Sequence, residues 1–217
     1  MSEPVVAAFV AAGEWFQGIA GRDEIADRWG ERSALDGYTV GGIVGHITAA
    51  VAWLGPLLDT TAPDSDVPVW SVGDYLAPFP VRTAEDLNGP LHVATRAQGE
   101  RVAERGPKET VAKLHSRLED VAERVMAADL HRLLDLRPTL PAAIPVGDFL
   151  RTRVVELVVH GDDLAVSIDL SVDPPDDAGA IAANALLAAA IHKHGHLELL
   201  RALARGERST GGLFPVL

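Results

Sequence analysis

Four side chains capable of acid–base or metal chemistry recur in one otherwise apolar segment. They are spaced three or four residues apart: Arg153, Glu156, His160 and Asp163. On an α-helix, this spacing places all four side chains on one face. The residues between them are mostly valine and leucine, so the helix is predicted to be buried. A buried charged stripe is costly unless its members pair with each other or with a metal ion.

Two interpretations of Glu156 and His160 stay open from these residues alone. One turn apart on a helix, they form either a structural hydrogen-bonded pair or two ligands of one metal ion. A second apolar helix carries His46, which by itself is more typical of a core histidine. Two imidazoles and one carboxylate together form the ligand set of a catalytic zinc site with an open fourth position. Asp163 and Arg153 would then support the ligands, one orienting an imidazole and one pairing with Glu156.

Composition excludes several classes of function. The chain has 217 residues, 47% of them hydrophobic, which suffices for one domain or one domain with a small appendage. A formal charge of -12 disfavours nucleic acids and anionic membrane surfaces as partners. The absence of cysteine excludes disulfides and a cysteine nucleophile, so any thiol chemistry needs a thiol from outside the chain. No targeting segment or membrane span is predicted, and we expect a cytoplasmic protein.

Hydrophobic periodicity predicts a mainly α protein with minor strands at most. Helices are expected over residues 4–21, 23–29, 40–58, 91–105, 107–128, 148–169, 176–193 and 196–205. Thr39 and Asp148 are the predicted N-caps of the two ligand-bearing helices. Residues 59–81 are expected to form an ordered loop, because they carry Trp70, Tyr75 and Phe79. Residues 136–147 are predicted to be a connection.

Two segments of the chain resemble a known family. The first, residues 29–46, has an aromatic residue (Trp29), a threonine–valine helix start and His46. The second, residues 147–164, has glutamate, histidine and an aspartate–leucine pair in the family's register. Residues 200–208 are also similar to the family's C-terminal region. On these motifs, the chain resembles the mycothiol-dependent maleylpyruvate isomerase family, part of the DinB-like helical bundle superfamily.

The resemblance implies a fold and a metal site. The implied fold is a DinB-like four-helix bundle over residues 1–170, with a small C-terminal helical appendage over residues 171–217. His46, Glu156 and His160 fall where the family's zinc ligands fall, and Asp163 falls where its aspartate follows the second histidine. Family members use zinc to activate the thiol of mycothiol, a low-molecular-weight thiol of actinobacteria. The thiolate attacks an electrophile, which permits rotation about a double bond in the isomerase and gives S-conjugation in relatives.

Further residues are candidates for binding roles. Trp53 shares the helix face of His46, and with Arg82 it is predicted to bind the thiol cofactor. Arg82 and Arg96 are candidates to hold a carboxylate. Tyr38 stands where many relatives have tryptophan. The alternating histidines at 192, 194 and 196 are expected to form a solvated helix end, where basic side chains complement the helix dipole.

Three functions remain in competition. The leading one is a zinc-dependent enzyme that activates mycothiol for attack on a small electrophile, as S-transferase or maleylpyruvate-type isomerase, with Asp163 and Arg153 in the catalytic machinery. The first alternative is a metal-dependent hydrolase using zinc-bound water. The second is a non-catalytic, metal-stabilised binding protein. The expected partners are a small electrophile and a low-molecular-weight thiol, and the expected state is a monomer or homodimer.

Overall fold

The computed structural model describes residues 3–61, 63–77 and 89–205, which are mainly helical. Candidate residue Arg82 and loop residue Phe79 lie outside these ranges. The elements in chain order are α1 (Pro4–Ala20), α2 (Asp23–Asp27), α3 (Val40–Leu58), α4 (Val72–Leu76), α5 (Pro90–Ala103), α6 (Pro107–Met126), β1 (Leu133–Asp135), β2 (Ala143–Pro145), α7 (Val146–Val166), α8 (Asp176–His194) and α9 (His196–Ala204).

Helices α1, α3, α6 and α7 form a four-helix bundle. Each of them packs against two others, with α1 and α3 both contacting α6 and α7. The predicted mainly helical, DinB-like architecture is confirmed. Large side chains with almost no exposed surface fill the space between the helices, among them Phe9, Phe16, Ile43, Ile47, Leu114, Phe149 and Leu150. Burial of this apolar surface is the main stabilising contribution to the bundle.

The C-terminal helices pack onto this bundle. Helix α8 contacts α1, α4 and α7, and α9 contacts α8. The buried face of α8 consists of small residues that belong to the same hydrophobic core as the bundle: Ala178, Ala182, Ala185, Ala189 and Ala190. Small side chains let a helix approach its neighbours closely. The division of the chain at residue 170 stays a prediction.

The predicted N-cap of α3 is confirmed, and that of α7 is wrong. The Thr39 side chain accepts a hydrogen bond from the backbone N–H of Gly42. Helix α7 begins earlier than predicted, at Val146, and Asp148 lies inside its first turn, where it accepts from Arg151 at 2.8 Å. The first two N–H groups of α7, at Val146 and Gly147, donate instead to the backbone carbonyls of Arg132 and Leu130.

The predicted loop at residues 59–81 contains a short helix. Helix α4 begins after Ser71, which forms a capping box with Asp74. Just before it, the Trp70 backbone N–H donates to the Ala143 carbonyl at 2.8 Å, which fixes this segment against β2. Strands β1 and β2 form a short antiparallel ladder with Leu134 opposite Ile144. Strand β2 lies inside residues 136–147, which were predicted as a connection, and β1 lies just before them. The expectation of minor strands is confirmed.

Helix α3 is apolar enough and long enough to span a membrane by composition alone. In the fold, 72% of its most apolar window is buried against other elements. Its hydrophobic residues therefore face protein, as expected for the central helix of a bundle.

Candidate metal centre

The bundle brings together the three predicted ligands from two helices. Helix α3 carries His46, and α7 carries Glu156 and His160. Their ligand atoms lie within 4.8 Å of one another. The Glu156 Oε2 atom lies 3.0 Å from His46 Nε2 and 3.4 Å from His160 Nε2. We call these three residues the HEH cluster; in the parts of the chain that the structure describes, it alone meets this ligand-distance criterion.

The donor set of the HEH cluster fits zinc. Zinc–ligand bonds of about 2.0–2.2 Å at tetrahedral angles separate neighbouring ligand atoms by about 3.3–3.5 Å. The carboxylate-to-imidazole distances of 3.0 and 3.4 Å are close to that separation. The side chains of His46, His160 and Glu156 keep 13%, 18% and 25% of their surface exposed, so one side of the cluster faces solvent.

Glycines set the position of His46. Helices α3 and α5 cross so closely that a Cβ added at Gly45 would lie 2.1 Å from the carbonyl oxygen of Gly99. A Cβ at Gly99 would in turn lie 3.1 Å from the Cβ of His46. Gly42 leaves room for Glu100, whose carboxylate would be 2.1 Å from an added Cβ. The glycines that lower the helix propensity of α3 thus permit the helix crossing at which His46 lies.

Arg153 is a buried cation beside the HEH cluster, with only 3% of its surface exposed. Its Nη2 lies 3.7 Å from Glu156 Oε1 and donates a hydrogen bond to the Tyr75 hydroxyl at 3.2 Å. Its guanidinium carbon lies 4.8 Å from the centre of the Phe149 ring, a cation–π distance. Arg153 therefore contacts the oxygen of Glu156 that faces away from the imidazoles, which holds the carboxylate in one orientation.

Glu156 is ionised in this environment. Burial alone would raise the pKa of its carboxyl group. Hydrogen bonds from His160 and His46 and the positive charge of Arg153 outweigh burial, and the pKa lies well below its ordinary value. The carboxylate is thus available as a metal ligand at neutral pH.

His160 is held between two carboxylates. Its Nδ1 lies 2.9 Å from Asp163 Oδ2, while its Nε2 faces Glu156. Burial lowers the pKa of His160, but hydrogen bonds to Asp163 and Glu156 raise it more, to about 9. A proton on Nδ1 donates to Asp163 and leaves Nε2 directed at the cluster, which is the usual arrangement of a metal-binding histidine.

Stability of the metal-free protein is expected to fall as pH rises from 6.5 towards 9. The raised pKa of His160, about 9 against an ordinary 6.5, gives stability that is complete below 6.5 and lost as pH rises through the folded value. Below about pH 4.5 stability falls again, because the lowered pKa of Glu156 contributes only above its ordinary value. The midpoint of urea unfolding, measured with a metal chelator present from below pH 4.5 to pH 9, gives the pH dependence of stability on both sides. Equal alkaline slopes in wild type and His160→Gln would contradict the assignment.

Asp163→Asn is expected to weaken zinc binding by about 10- to 100-fold. An amide is neutral and can turn its NH2 group towards Nδ1, so it no longer enforces the orientation and basicity of the His160 imidazole. Competition with a chromophoric chelator measures the affinity. The matched control is Asp162→Asn, which removes the same charge from an exposed neighbour. Equal affinities in the two variants would show that Asp163 does not support the cluster.

The remaining predicted residues occupy different places. The ring of Trp53 packs edge-on against Phe149 at 5.4 Å, and Phe149 in turn contacts Arg153. Among the described residues, none of the three imidazoles from 192 to 196 joins a three-ligand group; His192 instead lies 2.9 Å from Asp74. Arg96 lies close to Gly37, beside Tyr38. Arg82 is outside the described ranges.

The sequence did not predict that Tyr75 contacts Arg153 or that Tyr38 lies beside His46. Tyr75 on α4 contacts Arg153 and stacks edge-on against Phe149 at 5.8 Å. The Tyr38 ring lies 5.8 Å from the His46 ring. Burial and the nearby charge of Glu156 raise the pKa of Tyr38 to about 12, so its phenol stays a neutral hydrogen-bond donor at neutral pH. The aromatic residues of the predicted ordered loop were the available signal for Tyr75.

One family model matches the chain over a range that includes this site. The family model described as the mycothiol maleylpyruvate isomerase N-terminal domain matches residues 12–165, a range that contains the whole HEH cluster, Arg153 and Asp163. No curated protein and no solved structure matches the chain. Because the matched range covers most of the sequence, the chain belongs to the mycothiol maleylpyruvate isomerase N-terminal domain family.

Proposed function

We propose that this chain is a zinc-dependent enzyme that activates mycothiol for attack on a small electrophile, as an S-transferase or a maleylpyruvate-type isomerase. The observation that carries the proposal is the convergence of His46, Glu156 and His160 within 4.8 Å, on a partly exposed side of the bundle. Membership in a family named for a mycothiol isomerase supports the thiol. When bound, zinc would supply a Lewis acid able to convert the thiol into its reactive thiolate at neutral pH.

The chain's own residues prepare this chemistry. His46, Glu156 and His160 would hold the metal. Arg153 fixes the outer oxygen of Glu156, and Asp163 fixes the tautomer and orientation of His160. The chain has no cysteine, so the reacting thiol comes from the cosubstrate. We further propose a cytoplasmic protein that acts as a monomer or homodimer without nucleic acid or membrane partners.

The test is turnover by zinc-reconstituted protein with mycothiol and a panel of alkyl halides and activated alkenes. Conjugates are detected by mass spectrometry, and cis–trans isomerisation by NMR. Product that requires both mycothiol and zinc supports the proposal. Zinc-dependent hydrolysis of ester substrates without any thiol would instead favour the hydrolase. Loss of the fold on zinc removal, with no thiol binding and no turnover, would favour the non-catalytic binding protein.

A further inference from the structure

Arg96 does not pair with Glu100, the nearest carboxylate on its own helix. Glu100 follows it by four residues on α5, a spacing that ordinarily forms an ion pair. Both oxygens of Glu100 instead bind Thr39: the Thr39 backbone N–H and its hydroxyl each donate at 2.9 Å. Glu100 thus secures the start of α3. Within residues 3–61, 63–77 and 89–205, no carboxylate forms an ion pair with Arg96.

The Arg96 side chain lies across Gly37. A Cβ at Gly37 would be 3.0 Å from Arg96 Cδ and 3.2 Å from Nε, and the glycine has a positive φ of 85°. Both the conformation and the contact therefore favour glycine here. The half-buried guanidinium is held against the turn that precedes Tyr38 and not extended freely into solvent.

Tyr38 links Arg96 to the HEH cluster. Its ring lies 5.8 Å from the His46 ring, and its hydroxyl experiences the charges of both Glu156 and Arg96. Its backbone hydrogen-bonds to Leu35 and Ser33, but its hydroxyl has no hydrogen-bond partner in the part of the chain that the structure describes. Among the described residues, neither the Arg96 guanidinium nor the Tyr38 phenol has a hydrogen-bond partner, and Arg96 lies against Gly37, the residue before Tyr38.

We propose that Arg96 and Tyr38 form an anion-binding subsite beside the HEH cluster, and that it receives a carboxylate carried by the electrophile. This proposal rests on the proposed function for the identity of the reaction, but the subsite is defined by its own donors. The planar guanidinium can bind a carboxylate through two parallel hydrogen bonds, and the phenol can add a third. A substrate anchored there would lie next to the thiol that the cluster is proposed to activate.

The test compares the affinity of charged and uncharged ligands for wild type and for variants of the subsite. Maleate, its monoamide and its diamide are titrated by calorimetry, without thiol, into zinc-loaded wild type and Arg96→Ala. Tyr38→Phe removes only the hydroxyl. Arg101→Ala is the matched control, because it removes an exposed arginine from the same helix. Any affinity of the metal for carboxylates acts equally in all the proteins and cancels from the comparison.

In wild type, we expect maleate to bind roughly 10- to 100-fold more tightly than the diamide, the range for hydrogen bonds to charged groups. Arg96→Ala should remove most of that preference, Tyr38→Phe should reduce maleate affinity by roughly threefold, and Arg101→Ala should leave both unchanged. The same preference in Arg96→Ala as in wild type, or no saturable maleate binding by wild type, would overturn the subsite. Zinc content is measured on the same samples. Loss of zinc would count against the proposed function, whereas loss of maleate binding with zinc retained would count against the subsite alone.

Discussion

Thiol-dependent turnover is expected to fall about 1,000-fold or more when His46 is replaced by alanine. The substitution removes one of the three proposed ligands and the contact at 3.0 Å that joins α3 to Glu156. Lewis-acid activation of a nucleophile is worth several kcal/mol, which corresponds to a loss of about this size. Initial rates with mycothiol and the best electrophile of the panel, with circular dichroism to verify folding, provide the measurement.

His115→Ala is the matched control for this experiment. His115 is an exposed histidine on α6 that contacts Gln17 and Glu119, so its removal should leave turnover unchanged. A folded His46→Ala protein that keeps wild-type turnover would rule out the HEH cluster as the reaction centre. If wild type shows no thiol reaction but hydrolyses a substrate without thiol, and His46→Ala loses that hydrolysis, the HEH cluster is the site of a hydrolase.

Gly45→Ala is expected to destabilise the protein by about 3 kcal/mol, although alanine is the better helix former. The added Cβ would lie 2.1 Å from the Gly99 backbone oxygen, and a backbone atom cannot turn aside as a side chain can. Helix α5 must move away from α3, which also disturbs the neighbouring His46. We expect a lower free energy of unfolding in urea and weaker zinc binding in the same variant.

Gly18→Ala makes the same change at a position with open space. Nothing lies within 4 Å of a Cβ built at Gly18, which is an exposed position within α1. Helix propensity then acts alone and should stabilise the protein by about 0.5–1 kcal/mol. If both variants changed stability in the same direction, the close crossing of α3 and α5 would not be what requires glycine at position 45.

Local patterns were sufficient to predict the long helices, although not the short helix α4 or the start of α7. Periodic apolar residues and the Thr39 cap placed α3 correctly, because both signals lie within a few residues along the chain. The spacing of Glu156 and His160 fixed their common face on α7. Their grouping with His46 rested on the donor types and on the family resemblance, since sequence spacing does not show which helices touch.

Features that depend on tertiary contacts were not predictable in this way. Tyr75 reaches Arg153 because the residues just before α4 are hydrogen-bonded to β2 and α4 packs against α7, far from it along the chain. Asp148 resembled an N-cap, but carbonyls from a preceding segment satisfy the helix start instead. Glu100 and Arg96 have the spacing of an ion pair, and Thr39 prevents it by binding the carboxylate from another helix.

Bound metal in the purified protein is the most direct test of the central claim. Protein made without a histidine tag is analysed by elemental mass spectrometry as wild type and as His160→Ala, before and after zinc addition and desalting. We expect about one zinc per wild-type chain and loss of most of it in the variant, because three protein ligands hold a catalytic zinc ion. No stoichiometric metal in the wild type after zinc addition would reduce Glu156 and His160 to a structural pair and contradict the proposed chemistry.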